Sequence, residues 1–204
     1  MQKTKKRFKN FSEKYDRGKL LGKGAFGQVY KCWIKGSDGK QDVQALKVLK
    51  KNLLSQKPAL DDLLVNEFKI LMESKHPNII RMYDIFQDRQ NFYVVQELLR
   101  GGDLYVTLAH RSFTESEAAQ IVKQTLLALK FLHDKNIVHR DIKSDNLLLL
   151  SDEENPNPGQ IAVKLTDFGL AARIDPEIGG LKGFAGTPEY MPPEVVLQPG
   201  NKAF

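Results

Sequence analysis

One cysteine in 204 residues, Cys32, leaves no partner for an internal disulfide, which fits a reducing compartment. Standing alone it reads as a small half-buried side chain rather than a reactive thiol. No apolar run approaches the roughly 20 residues needed to cross a bilayer. The start, Met1-Gln2-Lys3-Thr4-Lys5-Lys6-Arg7, lacks the apolar core of a signal peptide. These absences predict a soluble, cytoplasmic chain with no transmembrane segment. A strong charge imbalance is missing too. Much of the net +6 sits in Lys3, Lys5, Lys6, Arg7 and Lys9, a solvated basic tail over residues 1–14. No aromatic platform or binding motif accompanies it, so no nucleic-acid partner is expected. From Leu170 to Gly186 there is no Ser, Thr or Tyr, so nothing in that stretch can accept a phosphoryl group. The hydrophobic 41% and charged 27% are ordinary for a globular chain, and they exclude disorder.

The first half reads as strands with one helix. Tyr15–Gly22 is strand-like, and Gly22, Gly24, Gly27 and Val29 then spell G-x-G-x-x-G-x-V. That glycine pattern alone is ambiguous, because dinucleotide-binding folds use it to open a helix. Here β-branched and aromatic residues follow, Val29 to Ile34, and then the turn Gly36-Ser37-Asp38-Gly39, which predicts a hairpin. A glycine hairpin can close over phosphates because no Cβ atoms keep its backbone away. Val43–Leu49 alternates as a strand and carries Lys47. A lysine inside an apolar strand is costly unless paired. Glu67 follows in a stretch, 60–74, whose apolar residues recur at helical spacing. His76-Pro77 breaks that helix ahead of strands over Ile79–Phe86 and Phe92–Gln96, and His76 reads as structural.

The composition changes at Gln96–Leu104, where the boundary between two lobes is expected. Asp103 is placed to cap a helix over Leu104–Ala109. Thr114-Glu115-Ser116-Glu117 is a capping box, and the helix it opens carries Ala118, Ile121, Val122, Thr125, Leu126, Leu129 and Leu132, a long apolar stripe meant for a core. Ile137-Val138 leads into His139-Arg140-Asp141-Ile142-Lys143-Ser144-Asp145-Asn146, and Asp167-Phe168-Gly169 follows one hairpin later. An Asp with an Asn five residues on, and a second Asp downstream, suits phosphoryl transfer from ATP. One carboxylate orients and deprotonates a hydroxyl; the Asn and the second carboxylate hold magnesium. Ser151–Gln160 is polar and proline-rich, an enlarged hairpin loop ahead of the strand Ile161–Leu165.

Taken in this order, the motifs resemble those of the eukaryotic protein kinases of serine/threonine type, and the resemblance covers nearly the whole chain. It implies an α+β, two-lobed kinase fold: a β-rich N-lobe with one main helix over residues 15–97, and a helical C-lobe over 98–204. It also implies ATP and Mg2+ as cofactors and protein substrates as partners. By resemblance Gly22, Gly24, Gly27, Val29, Ala45 and Leu148 line the nucleotide site. Lys47 pairs with Glu67 and touches the α/β-phosphates, Gln96 is the gatekeeper, and Glu97 to Leu99 form the hinge that reads adenine. Asp103 reaches the ribose, Asp141 is the catalytic base, Lys143 steadies the transferring phosphoryl group, and Asn146 and Asp167 hold metal. Lys143 also marks serine/threonine rather than tyrosine specificity. His139 packs with Leu71, Met82 and Phe168, and Thr187 in Gly186–Tyr190 contacts Asp141 and Lys143. The 151–160 spacer is similar to those of the calcium/calmodulin-dependent kinases and their calcium-dependent relatives.

Three departures from the pattern stand out. Pro192-Pro193-Glu194 replaces the usual Ala-Pro-Glu. Arg140 belongs to kinases whose activation segment is phosphorylated, yet 170–186 offers no hydroxyl; the expectation is that Asp175 or Glu177 supplies a fixed charge or that control comes from an autoinhibitory segment not found in this sequence. Only ten residues follow Glu194, so a C-lobe truncated at its C-terminus is expected. The alternative reading is therefore a catalytically inactive, kinase-like nucleotide-binding or scaffolding module. Retention of Lys47, Asp141 and Asp167 favours an active parent. Asp103 and Asp145 suggest substrates with basic residues upstream of the acceptor. The sequence identifies neither the substrate nor a regulator.

Overall fold

The computed structural model describes residues 10–24, 27–37, 43–51, 68, 72, 75–157, 159–174, 180–181 and 185–197. They form two compact units. One takes in residues up to Ser74 together with Arg81–Leu98; the other takes in Lys75–Ile80 and everything from Leu99 onward. The expected boundary at 97/98 thus falls one residue later. Ile79 and Ile80, expected to open a strand of the first unit, belong with 75–78 to the second. Of the helix expected over 60–74, only Phe68 and Met72 are among the described residues, both helical; Glu67 and Leu71 lie outside them.

The first unit is an antiparallel sheet in the order β1-β2-β3-β5-β4. Its strands are β1 (Tyr15–Gly24), β2 (Gly27–Ile34), β3 (Gln44–Lys50), β4 (Met82–Gln87) and β5 (Asn91–Glu97). Cross-strand partners share a face, and faces alternate along each strand. Tyr30 lies opposite Leu46, and Leu46 opposite Val95, so these point one way with Cys32. Against that face packs a cluster of Phe11, Tyr15, Cys32, Leu46, Phe86 and Val95. Phe11 stacks on Tyr15 and Tyr93 and meets Phe86 edge-on. Phe11–Lys14 is a short helix, α1, capped by Asn10. The basic tail expected over 1–14 is corrected at one residue: Phe11 is part of the core, because it contributes an aromatic ring that only burial satisfies. Lys14 Nζ donates to Asp84 Oδ2 at 2.6 Å, and the Tyr15 hydroxyl donates to the same carboxylate. Burial, reinforced by that carboxylate, pushes the Tyr15 phenol up, so it remains a donor. Cys32 is fully buried rather than half-buried.

In the second unit α2 (Leu104–His110) is capped by Asp103, whose Oδ1 accepts from the Val106 amide at 2.7 Å. It runs one residue beyond the expected end. The capping box forms as expected at the start of α3 (Glu115–His133): the Thr114 hydroxyl accepts from the Glu117 amide, and the Glu117 carboxylate accepts from the Thr114 amide. The predicted stripe is only partly buried. Of it Ile121 and Leu132 are buried and Thr125 and Leu129 half-buried, whereas Ala118, Val122 and Leu126 are exposed; Ala128, outside the predicted stripe, is buried as well. Helical period locates an apolar arc but not how much of it a neighbour covers. Here the covered row is 121/125/128/132. Three short pairings complete the unit: β6 (Ile137–Val138) with β9 (Ala172–Arg173), β7 (Leu147–Leu149) with β8 (Val163–Leu165), and a bridge between Ile79 and Leu165. The strand expected over Ile79–Phe86 therefore begins only at Met82. Near the end of the described chain, α4 (Pro193–Val196) is a single turn. No helix among the described residues is long and apolar enough to cross a membrane.

Candidate active site

The loop from β6 to β7 is held by its own side chains. His139 is buried, edge-on to Phe168 with centroids 4.9 Å apart. Its Nδ1 accepts from the Asp141 amide at 3.3 Å, and its Nε2 lies 2.9 Å from the Thr166 carbonyl. These contacts require one acceptor and one donor, so the ring is the neutral Nε2–H tautomer. It is a strut, as expected, and not a base. Arg140 takes φ +67°, a left-handed conformation that costs a non-glycine residue about 1–3 kcal/mol. Its Nε donates to the Leu170 carbonyl at 2.6 Å. A Cβ on Gly186 would stand 2.6 Å from the Arg140 carbonyl, so that position must be glycine for the two segments to meet.

Asp141 emerges from this turn as a buried carboxylate with every near neighbour a donor. The Thr187 hydroxyl donates to Oδ1 at 2.6 Å, and Asn146 Nδ2 donates to Oδ2 at 2.9 Å. Lys143 Nζ lies 3.2 Å from Oδ2 and donates to Thr187 Oγ1 at 2.7 Å. Burial pushes the Asp141 carboxyl up. The hydrogen bonds from Thr187, Lys143 and Asn146, with the lysine's charge, outweigh that and hold it below the usual carboxylate range. It is ionised at neutral pH with its oxygens fixed in direction, as an acceptor for a hydroxyl proton must be. The contact sequence reasoning placed at Thr187 is therefore present.

Asn146 is buried, and its Nδ2 also donates to the Asp141 carbonyl at 2.7 Å. With both amide protons directed at Asp141, Oδ1 is the atom turned the other way. Its backbone carbonyl accepts from the Thr166 amide at 2.9 Å, which ties the loop to the segment carrying Asp167. Asp167 is left-handed, φ +60°, ahead of a 3-10 turn over Phe168–Leu170. A Cβ on Gly169 would press on Asp167 Oδ1 at 3.3 Å. Among the described residues no group of three or more His, Cys, Asp or Glu gathers. The oxygens of Asn146 and Asp167 are of the donor type that a hard cation such as Mg2+ takes, one or two from protein with phosphate and water completing the shell.

In the first unit Lys47 sits in the middle of the central strand, opposite Val29 on β2 and Val94 on β5. An edge-strand surface lysine is excluded by that topology. Val29, Ala45, Lys47, Val94 and Gln96 share the face away from the aromatic cluster. The glycine hairpin is present, with Gly24 paired to Gly27. A Cβ at Gly22 would meet only open space, whereas one at Gly27 would lie 1.9 Å from the Val48 carbonyl oxygen. Gly27 is thus required by strand packing. Glu97 ends β5, its amide donating to the Arg81 carbonyl at 2.8 Å, and its carboxylate accepts from the Arg81 amide. Leu99, Asp103 and Leu148 lie in the second unit, where Asp103 bridges Leu148. His76 accepts from the Asn78 amide and packs at a tilt against the Phe131 ring, and burial lowers its pKa.

One supporting residue was not anticipated. Gln124, beside the covered row of α3, accepts from Asn78 and from the Val163 amide and donates to the Ile161 carbonyl. It fixes the start of β8 and hence the approach to Asp167. The available signal was a carboxamide among buried apolar positions, where a polar group must find partners.

The chain is 36% identical over 193 residues to calcium/calmodulin-dependent protein kinase type 1 of Macrobrachium nipponense, and 37% identical over the same length to the protein of that name from Caenorhabditis elegans. Each match takes in 94% of this chain and 52% of the relative. Serine/threonine-protein kinase DCLK1 of Rattus norvegicus is 37% identical over 190 residues, 93% of this chain and 41% of the relative. This chain therefore spans about half the length, or less, of these relatives. A family model described as Protein kinase domain matches residues 15–203, a span holding the glycine hairpin, the central-strand lysine and the hydrogen-bonded loop around Asp141: the chain belongs to the protein kinase domain family.

Proposed function

We propose that this chain is the catalytic part of an ATP- and magnesium-dependent protein serine/threonine kinase. The observation that carries the reading is the Asp141 carboxylate, held ionised and aimed by Thr187, Lys143 and Asn146. Asp141 accepts the proton of a substrate Ser or Thr hydroxyl and orients its oxygen for attack. Lys143 sets a positive charge beside the site of transfer. Asn146 Oδ1 and the Asp167 carboxylate would hold Mg2+, which when bound neutralises charge on the triphosphate. Gly22, Gly24, Gly27, Val29, Ala45, Lys47, Glu97, Leu99 and Leu148 would line the nucleotide site, with Glu67 pairing Lys47. Asp103 serves the ribose while capping α2. Asp103 and the exposed Asp145 favour Arg or Lys two or three residues before the acceptor, each exposed pair contributing roughly 0.5–1 kcal/mol.

The test is phosphoryl transfer from MgATP to a peptide array with variants of the two aspartates. Asp141→Ala should abolish transfer and leave MgATP affinity nearly unchanged, while Asp167→Ala should also weaken magnesium-dependent nucleotide binding. Equal loss of affinity in both would undo this division of roles. A second reading, a kinase-like nucleotide-binding or scaffolding module without transfer, draws on the exposed apolar row on α3, a surface open to a partner. It predicts MgATP binding with no product.

A further inference from the structure

The loop between β7 and β8 does more than connect two strands. Glu154 reaches back from it, and its Oε2 accepts from the Arg100 amide at 3.0 Å and from the Ser151 amide at 3.0 Å. The Arg100 guanidinium stands further off, Nε 3.9 Å from Oε1, and is largely exposed, so the bond that matters is to backbone. Burial raises the Glu154 carboxyl, but the two amide bonds and the nearby guanidinium outweigh it and keep the group ionised. The far side of the same turn is held by β7. The Leu149 amide donates to the Gly102 carbonyl at 2.8 Å, Asp103 bridges Leu148, and a Cβ on Gly101 would stand 2.5 Å from the Leu149 carbonyl oxygen. The turn 100–103 is thus clamped between a strand and a carboxylate, and it delivers Asp103.

We infer that Glu154 is a positioning residue for the nucleotide: by anchoring the Arg100 amide it fixes the turn that carries Asp103 to the ribose. This rests on the nucleotide site proposed above. A charge-assisted bond to backbone is worth more than the exposed ion pair beside it, so its loss should be felt at Asp103. Glu154→Ala should weaken binding of adenosine and of MgATP about three- to tenfold, raise KM for ATP by the same factor, and leave kcat nearly unchanged. Hydrogen exchange at the Arg100 amide should accelerate. Glu154→Gln, which keeps an oxygen acceptor, should recover most of the affinity. Arg100→Ala, which keeps the amide and loses only the ion pair, should bind like the parent. Parent-like adenosine affinity in Glu154→Ala would overturn the inference while leaving the nucleotide site standing. So would a fall in kcat at constant KM, or a defect in Arg100→Ala equal to that of Glu154→Ala. Failure of the parent chain to bind either adenosine or MgATP would instead remove the nucleotide site, and this inference with it.

Discussion

Protonation state is where single residues decide what this chain can do. Asp141 is held below the ordinary carboxylate value of about 3.9, so its ionised form is the one the fold favours. Stability from its hydrogen bonds is then fully present above that value and lost as pH falls through the lower folded one. The expected outcome is a kcat profile with no inflexion from Asp141 between roughly pH 5 and 8. A nuclear magnetic resonance titration of its carboxyl carbon checks this, and a midpoint above 5 contradicts it. Cys32 behaves in the opposite sense. Burial alone pushes its thiol up to about 12, so thiolate is scarce at neutral pH and the sulfur is covered on all sides. A thiol-specific reagent should therefore label the protein only after denaturant is added. Cys32→Ser should cost about 1–3 kcal/mol, because it places a hydroxyl inside a buried aromatic and aliphatic cluster; chemical denaturation reads the loss.

At the scale of elements, two turns of sequence grammar can be weighed against each other. Thr114 closes both bonds of the capping box at the start of α3, and Thr114→Ala should cost about 1 kcal/mol by thermal or chemical unfolding. Gly27→Ala should cost more, since its Cβ would sit 1.9 Å from a carbonyl oxygen of β3 and neither strand can move without disturbing the ladder. Finding Thr114→Ala the more damaging would mean the hairpin relaxes away from β3. Both features were legible beforehand, since a capping box and a G-x-G-x-x-G followed by β-branched residues are local patterns with local causes. The packing of Phe11 was not. It depends on Tyr15, Phe86 and Tyr93, and the last two lie more than seventy residues away, where no local period links them. Glu154 was equally hidden, because a carboxylate in a polar proline-rich stretch reads as solvated until its backbone partner at Arg100 is seen.

For the molecule as a whole, periodicity said that α3 was amphipathic but not how wide its covered face would be. The buried row 121/125/128/132 lies beside an exposed apolar row of Ala118, Val122 and Leu126, four residues apart on one face. Leu127 on α3 and Tyr105, Val106 and Leu108 on α2 are exposed as well. The exposed apolar row on α3 favours association, since each side chain leaves water when a second surface meets it. The chain should therefore bind a hydrophobic dye in its native state and self-associate at micromolar concentration. Raising salt should not reverse that association, because it is not electrostatic. Val122→Lys together with Leu126→Lys places two like charges on that row without touching any buried residue. The pair should lower dye binding and shift sedimentation toward monomer while leaving the far-ultraviolet circular dichroism unchanged. Unaltered association in the double variant would assign the contact to another surface, and dissociation by salt alone would assign it to charge.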